Sequence, residues 1–153
     1  MIVYRLGRSK YAADLAGKGA EKTGGRWNSK GVGMIYSCAS RALCTAEVAV
    51  HMPLGIIPAD YVMISLDIPA AMAIGEITQS PLPSGWKTFP HPHSTQKEGD
   101  DFISKGKFAV LKVPSVVVQG EFNYLLNPRH KDFKKIRQGM VEPFSFDERL
   151  FKK

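Results

Sequence analysis

The chain has 153 residues, 44% of them hydrophobic and 23% charged, a composition that is ordinary for a globular protein and excludes disordered and collagen-like chains. This length fits one domain over residues 1–153. Lys and Arg outnumber Asp and Glu by 21 to 14, and the resulting net charge of +7 favours an anionic partner. Nucleic acid, a phosphorylated small molecule and an acidic protein are all partners of this kind. A basic surface that only contacts solvent is the alternative explanation of the charge.

The chain has two cysteines, Cys38 and Cys44, and no CxxC pair. A disulfide-dependent secreted domain of this size usually has more cysteines, and a four-ligand zinc site usually includes a CxxC pair. No apolar run approaches the ~20 residues of a membrane span, and no signal core follows the basic N-terminus. His91 and His93 flank a proline in a predicted loop, where a weak metal site and solvated side chains are alternatives. We expect a reduced, cytoplasmic protein with no metal and no membrane contact.

The pattern of apolar residues predicts short strands and few helices. In chain order it predicts a strand at residues 2–6, a helix at 10–20, a turn-forming loop at 24–31, a strand at 34–37, a helix at 40–51, a strand at 61–68, Pro- and Gly-rich loops around one or two short helices at 69–107, and strands at 108–113, 116–119 and 122–126. Ser40 is placed to cap the second helix and Pro53 to stop it. These elements predict an α+β fold with a small mixed sheet and a few short helices.

A loop with paired glycines, Gly24 and Gly25, precedes three side chains that suit a ligand. Arg26 offers a planar charged fork for phosphate or carboxylate, Trp27 a flat apolar face, and Asn28 both a donor and an acceptor. The glycines allow the backbone to approach a ligand closely. A surface turn with a salt-bridged arginine and a core tryptophan is the alternative interpretation of the same residues.

Glu47 falls on the apolar stripe of the second predicted helix, four residues after Leu43. A carboxylate that faces the core is costly unless it is paired or functional. Two interpretations follow: a buried salt bridge, with Arg5 or Arg26 as the partner, and a poised catalytic carboxylate.

Tyr36 and Ser115 lie at the ends of predicted strands. The Tyr36 ring either stacks on a ring-shaped ligand or belongs to the core with its hydroxyl at the surface. Ser115 either caps the break made by Pro114 or points its hydroxyl into a cleft. No GxSxG surrounds it, so a serine-hydrolase nucleophile is not indicated. The chain also lacks GxGxxG and Walker loops, which leaves Rossmann and P-loop nucleotide binding unsupported.

The strongest basic patch covers residues 129–137. A solvated helix face is the default interpretation of this patch, and a dock for phosphates or for an acidic segment of a partner is the alternative. No aromatic-rich RNA-binding signature accompanies it.

Together these segments resemble the RES-domain family, which is named for an arginine, a glutamate and a serine. The matching segments follow the family's order over almost the whole chain: VYRL, GGRWNSKG with Arg26, MIYSCAS with Tyr36, TAEVAVH with Glu47, LKVPSVVV with Ser115, and EFNYLLNPRH with Asn123 and Asn127. Each segment is a weak signal alone, and six in this order are specific. Residues 70–107 carry no strong family motif and receive no role.

The resemblance implies a fold similar to the catalytic core of ADP-ribosyltransferases and a toxin that arrests growth by depleting NAD⁺. The implied reaction breaks the nicotinamide–ribose bond by hydrolysis, or by phosphorolysis with inorganic phosphate as co-substrate. The implied partner is an Xre-type helix-turn-helix antitoxin, which forms a hetero-oligomer with the toxin and provides its only link to DNA. NAD⁺ is the substrate, so we expect no additional cofactor.

The resemblance also implies which side chains act. It implies four catalytic residues, Arg26, Tyr36, Glu47 and Ser115, and four substrate-binding residues, Arg5, Trp27, Asn28 and Asn123. Glu47 is expected to stabilise the positive charge on the ribose, and the arginines to hold the phosphates. Tyr36, helped by Trp27, is expected to stack on nicotinamide, and Ser115 to hydrogen-bond the nicotinamide amide or a ribose hydroxyl.

Two other functions stay open on the sequence. One is transfer of ADP-ribose to a protein or nucleic acid, which uses the same fold with a different acceptor. The other is a basic nucleic-acid-binding module that uses residues 129–137 and has no enzymatic activity.

Overall fold

A seven-stranded mixed sheet forms the centre of the computed structural model, which describes residues 1–152. Its strands are β1 (Ile2–Arg8), β2 (Ile35–Cys38), β3 (Tyr61–Asp67), β4 (Ile74–Glu76), β5 (Val110–Pro114), β6 (Phe122–Leu126) and β7 (Arg137–Phe144). They lie side by side in the order β4-β5-β6-β2-β1-β3-β7, and β4 runs parallel to β5 while the other pairs are antiparallel. The predicted α+β class with a mixed sheet is confirmed.

The α-helices of the described residues are α1 (Lys18–Thr23), α2 (Arg41–Ala49) and α3 (His93–Lys105). The α2 helix begins where the sequence predicts, because the Ser40 hydroxyl accepts a hydrogen bond from the Leu43 backbone N–H at 3.1 Å. Leu43 and Cys44 are buried, whereas Val50, which follows the last helical residue, is 58% exposed. Within residues 1–152, no helix has both the length and the apolar character that crossing a bilayer requires.

The predicted helix at residues 10–20 is wrong. The chain forms a 3-10 turn at Ser9–Tyr11 and begins α1 only at Lys18. The Asp14 carboxylate accepts the Ala16 backbone N–H at 2.9 Å, and such a local bond competes with helical hydrogen bonding. Gly17 has a φ of 72°, a left-handed conformation that interrupts any helical run at this point.

The predicted strand at residues 116–119 is also wrong, because this segment folds into a turn. The Ser115 hydroxyl accepts the backbone N–H groups of Val117 and Val118, which holds the segment in a tight bend. The sequence pattern missed β4 and β7. Most β7 side chains are exposed, so β7 has no buried face to produce an alternating pattern. The basic patch at 129–137 is not an α-helical face, since it forms turns, a short 3-10 helix at Phe133–Lys135 and the first residue of β7.

The α3 helix packs tightly against the glycine-rich loop at residues 24–28. A Cβ added at Gly99 would lie 1.6 Å from the carbonyl oxygen of Trp27, so no side chain fits there. The Gln96 side-chain amide donates to the carbonyl oxygens of Gly25 at 3.0 Å and Asn28 at 3.3 Å. The helix therefore holds the backbone of this loop in place.

We expect Gly99→Ala to lower the free energy of unfolding by about 3 kcal/mol or more, since overpacking commonly costs about 1–3 kcal/mol and here the obstacle is backbone. Chemical denaturation measures this change. Gly19→Ala in α1 is the matched control, because its Cβ meets nothing within 4 Å and alanine favours a helix. Equal stability of the two variants would contradict the close contact between α3 and the loop.

Candidate functional site

An opening in the sheet between β1 and β2 creates the cavity that holds the candidate site. These two strands pair at a single position, Tyr4 with Cys38, and diverge beyond it. The cavity has a volume of about 320 Å³, and its lining includes the polar or ionisable side chains of Arg5, Tyr36, Ser37, Cys38, Cys44, Glu47, His51, Tyr61 and Asn123. Concave sites of this size commonly bind small molecules.

Glu47 lies in this cavity, on the last turn of α2, and two neutral groups hold its carboxylate. Its Oε1 accepts a hydrogen bond from the Ser115 hydroxyl at 2.8 Å and another from the Asn123 side-chain amide at 2.6 Å. Among the described residues, Oε2 accepts no hydrogen bond and the carboxylate forms no ion pair. The sequence alternative of a salt bridge with Arg5 or Arg26 is therefore wrong, and the carboxylate keeps one oxygen for a ligand.

The Ser115 hydroxyl forms hydrogen bonds both with the Glu47 carboxylate and within its own turn. Its oxygen accepts the backbone N–H groups of Val117 at 3.1 Å and Val118 at 3.0 Å, while its hydrogen is donated to Glu47. Ser115 is 4% exposed. All of these contacts are internal, so the Ser115 hydroxyl is placed to orient Glu47, and its hydrogen is not free for the predicted bond to nicotinamide or ribose.

Tyr36 presents its ring to the cavity and directs its hydroxyl away from it. The hydroxyl donates to the Asn28 side-chain oxygen at 2.7 Å and accepts the Trp27 backbone N–H at 3.0 Å. Burial raises the pKa of Tyr36 well above its ordinary value, so the hydroxyl stays protonated. A ligand in the cavity therefore meets a fixed aromatic face, which is compatible with the predicted stacking role.

Trp27 and Asn28 lie behind Tyr36, where neither reaches the cavity. Trp27 is 2% exposed, and its ring lies 6.3 Å from that of Trp86. Asn28 is fully buried, and its amide donates to backbone carbonyls at both ends of the loop, those of Ala20, Ser29 and Val32. Direct contact of these two side chains with substrate, as the sequence analysis predicts, is incompatible with their burial. The close approach that Gly25 allows is to Tyr36, because a Cβ there would lie 2.7 Å from the Tyr36 hydroxyl.

Arg26 and Arg5 are each anchored by backbone carbonyls. Arg26 Nη1 donates to Trp86 at 2.6 Å and to Thr88 at 3.1 Å, and Arg5 Nη1 donates to Asp14 at 2.6 Å. Burial lowers the pKa of both guanidinium groups, and the charge of Glu47 opposes that shift at Arg26. The charge of Glu47 thus acts on Arg26, which does not itself line the cavity, and Arg5 lines the same cavity as Glu47.

The cysteines are packed against each other beside Glu47. The contact with the Cys44 thiol and burial both raise the pKa of Cys38, and the Cys44 thiol donates to the Tyr4 carbonyl at 3.0 Å. Thiols held in their protonated form are poor nucleophiles. No group of three or more His, Cys, Asp or Glu side chains arranged to hold a metal ion occurs in residues 1–152.

Several residues that build or line the site were not predicted from the sequence. His51 and Met52 line the cavity beyond the end of α2. His51 follows Glu47 by four residues, and this spacing could have indicated that the two side chains lie on the same side of the helix. Asp100 accepts both the backbone N–H of Ser29 at 2.9 Å and its hydroxyl at 2.6 Å. No local pattern indicates that contact, because it joins residues 71 positions apart.

The sequence profile of the RES domain matches residues 2–147 of the chain. The chain is 37% identical over 148 residues to a Sphingobium sp. protein named "Prs ADP-ribosylating toxin", an alignment that covers 95% of this chain and 92% of that protein. It is 35% identical over 153 residues to "Toxin Res" of Yersinia enterocolitica, covering 98% of this chain and 99% of the relative.

The fold is shared with a solved toxin–antitoxin structure. A chain in the crystal structure of the M. tuberculosis MbcT–MbcA toxin–antitoxin complex matches with a TM-score of 0.75 at 18% identity, covering 98% of this chain and 86% of that chain. The profile match spans nearly the whole chain, and both curated relatives align over nearly their full length. The chain therefore belongs to the RES-domain family of toxins.

Proposed function

We propose that this toxin binds NAD⁺ and cleaves the bond between nicotinamide and ribose, so that growth stops when cytoplasmic NAD⁺ is depleted. The observation that carries the proposal is the Glu47 carboxylate, which two neutral donors hold by one oxygen while the other remains free in the cavity. A carboxylate in this state stabilises positive charge that develops on a sugar, as it does in glycosidases.

In the proposed reaction, the bond between ribose C1′ and the pyridinium nitrogen breaks, and its electron pair leaves with neutral nicotinamide. The ribose becomes oxocarbenium-like, and the negative charge of Glu47 stabilises it. Water or inorganic phosphate then forms the new bond to C1′, and attack by water releases one proton to solvent.

The neighbouring side chains suit the other parts of NAD⁺. The exposed face of the Tyr36 ring fits the flat nicotinamide ring. The guanidinium groups of Arg5 and Arg26 fit the pyrophosphate. Asn123 lines the same cavity, and its side-chain amide holds the Glu47 carboxylate by one oxygen, which leaves the other for the ribose.

Transfer of ADP-ribose to a macromolecule is the second candidate function, and the name of the Sphingobium relative favours it. Both reactions break the same bond and differ only in the acceptor. NAD⁺ labelled in its adenylate part and added to a lysate separates them. Label in protein or nucleic acid supports transfer, whereas label confined to small products supports hydrolysis or phosphorolysis.

An inhibitory partner fits the proposed activity, because an enzyme that depletes NAD⁺ harms its own cell. We propose an antitoxin of the Xre type, which binds DNA through its own helix-turn-helix and leaves the toxin to contact DNA only indirectly. The net charge of +7 suits an acidic segment of that partner.

We expect Glu47→Gln to reduce nicotinamide release by about 10²–10³-fold while the thermal midpoint stays near that of the wild type, because the amide keeps the shape but loses the charge. Chromatography of reactions with NAD⁺, with and without phosphate, measures the release. Glu98→Gln, on the exposed side of α3, is the control and should retain full activity. Absence of release from the wild type under both conditions would reject the proposed function.

Ser115→Ala tests whether Ser115 positions Glu47 or contacts substrate. A hydrogen bond to a charged group is worth about 1.5–3 kcal/mol, so we expect kcat to fall by about 10–100-fold with little change in KM. Ser104→Ala, at an exposed position of α3, is the matched control. A large rise in KM at unchanged kcat would instead indicate direct binding of the substrate by Ser115.

A further inference from the structure

A second cavity, with a volume of about 290 Å³, lies beside two connections that cross the sheet. The connection from β3 to β4 contributes Met72 to its lining, and the connection from β6 to β7 contributes His130, after which we call it the His130 cavity. None of its lining residues also lines the cavity that contains Glu47 (the Glu47 cavity). Its volume corresponds to about ten water molecules, so a ligand larger than a bare ion fits.

The two cavities use opposite faces of the sheet. Met72 and Ala109, which line the His130 cavity, pack in the apolar cluster that contains Leu126 of β6. Asn123, which lines the Glu47 cavity, lies three positions before Leu126 on the same strand. Because successive side chains of a strand point to opposite faces, Asn123 and Leu126 belong to different faces. A ligand in the His130 cavity therefore occupies a site separate from the candidate site.

The His130 ring is fixed so that one nitrogen remains for a ligand. Its side chain is 8% exposed, and its Nδ1 accepts the Asp132 backbone N–H at 3.0 Å. The proton of the neutral ring is therefore on Nε2, which forms no hydrogen bond among residues 1–152. An N–H donor on a ring this buried has little access to water, so an acceptor oxygen of a ligand in the cavity would stabilise it.

The charged residues of the lining leave one positive charge unpaired. Lys135 pairs with Asp132, since its Nζ lies 2.8 Å from the Asp132 Oδ1. Lys107 is the other charged residue of the lining and forms no ion pair within the described chain. Its Nζ lies over the Phe108 ring, 5.2 Å from the centroid. With the His130 ring neutral, the lining carries one net positive charge, which matches a ligand with one negative charge.

The rest of the lining is apolar. Met72 and Phe108 provide its two large side chains, and the smaller ones belong to Pro69, Ala71, Ala73 and Ala109. Small-molecule sites commonly combine an apolar lining with a few polar groups that orient the ligand. An inorganic anion would leave this apolar surface without a partner, whereas an organic acid can place its apolar part against it.

We propose that the His130 cavity binds a small organic acid with one carboxylate. The carboxylate accepts the Nε2–H of His130 and lies near the ammonium group of Lys107, and the apolar part of the ligand contacts Met72 and Phe108. The inference does not rest on the proposed function, because the two cavities share no lining residue. The basic segment at residues 129–137 then contributes to a small-molecule site through His130 and Lys135.

The chain has four histidines, so NMR of the imidazole C–H signals tests the site directly. Benzoate is titrated into the wild-type protein, and we expect the His130 signals to shift until they saturate while those of His91 and His93 stay. His51 lines the Glu47 cavity and reports any benzoate that binds there instead. Unmoved His130 signals, or a larger shift of His51 than of His130, would overturn the proposal.

Two further probes test the chemistry of the ligand. Acetate has the carboxylate without the ring, so we expect it to bind about tenfold more weakly than benzoate because it buries less apolar surface. Phenyl phosphate has the ring but carries up to two negative charges, and we expect it to bind no more tightly than benzoate. Equal affinity for acetate and benzoate, or tighter binding of phenyl phosphate, would contradict the assignment to an organic carboxylate.

A matched pair of variants completes the test. Lys107→Gln should weaken benzoate binding about fivefold, the upper end of what an ion pair at an exposed position contributes. Lys22→Gln in α1 removes the same charge from an exposed position outside the cavity and should leave benzoate binding unchanged. Equal weakening by the two variants would indicate general attraction by the basic protein and would reject the site.

Discussion

The arrangement of the candidate site depends on how the Glu47 carboxylate is held. Glu47 lies at the wall of a cavity, where an ionised carboxylate needs compensation for the water it loses. Compensation by an arginine would neutralise the charge that the proposed chemistry requires. Ser115 and Asn123 donate neutral hydrogen bonds instead, so the negative charge remains and only its direction is fixed. The Arg26 guanidinium lies close enough to feel this charge without pairing with the carboxylate.

Three separate parts of the chain must meet for this arrangement to form. Glu47 comes from α2, Ser115 from the turn after β5, and Asn123 from β6, which pairs with β2. The divergence of β1 and β2 beyond their single paired position opens the space that these residues surround. The sheet thus holds these residues around a cavity that the incomplete pairing of β1 and β2 leaves open.

A second set of contacts stabilises the other side of the cavity. The Tyr36 ring is fixed through its hydroxyl by Asn28, which in turn is fixed by three backbone carbonyls. The α3 helix holds the same loop through Gln96 and through the close packing at Gly99. These buried residues carry no direct chemistry, but they restrict the aromatic face and Arg26 to one geometry. Such support shells commonly decide how accurately a site is built.

Local pattern was sufficient for much of the fold and for the identity of the polar residues around the cavity. The alternation in β3, the Ser40 cap of α2 and the spacing that places Glu47 below Leu43 all depend on neighbours a few residues apart, so they can be read directly from the sequence. The order of the RES-like segments indicated that Arg26, Tyr36, Glu47 and Ser115 belong to the site. The sequence pattern did not predict β7, because an exposed strand has no buried face to produce an alternating pattern. It also did not predict the turn at Asp14, where a local side-chain hydrogen bond competes with helix formation.

Only the tertiary structure decided what those residues touch. The donors to Glu47 lie 68 and 76 residues away along the chain, and no periodicity in the sequence relates them. The same limit applies to Trp27 and Asn28, whose residue types suit a ligand equally well and whose burial behind Tyr36 follows from the packing of α3. Sequence determines which groups are present and which local shapes they favour. The direction of each polar side chain depends on long-range packing, because a buried donor or acceptor must find its partner wherever the fold places one.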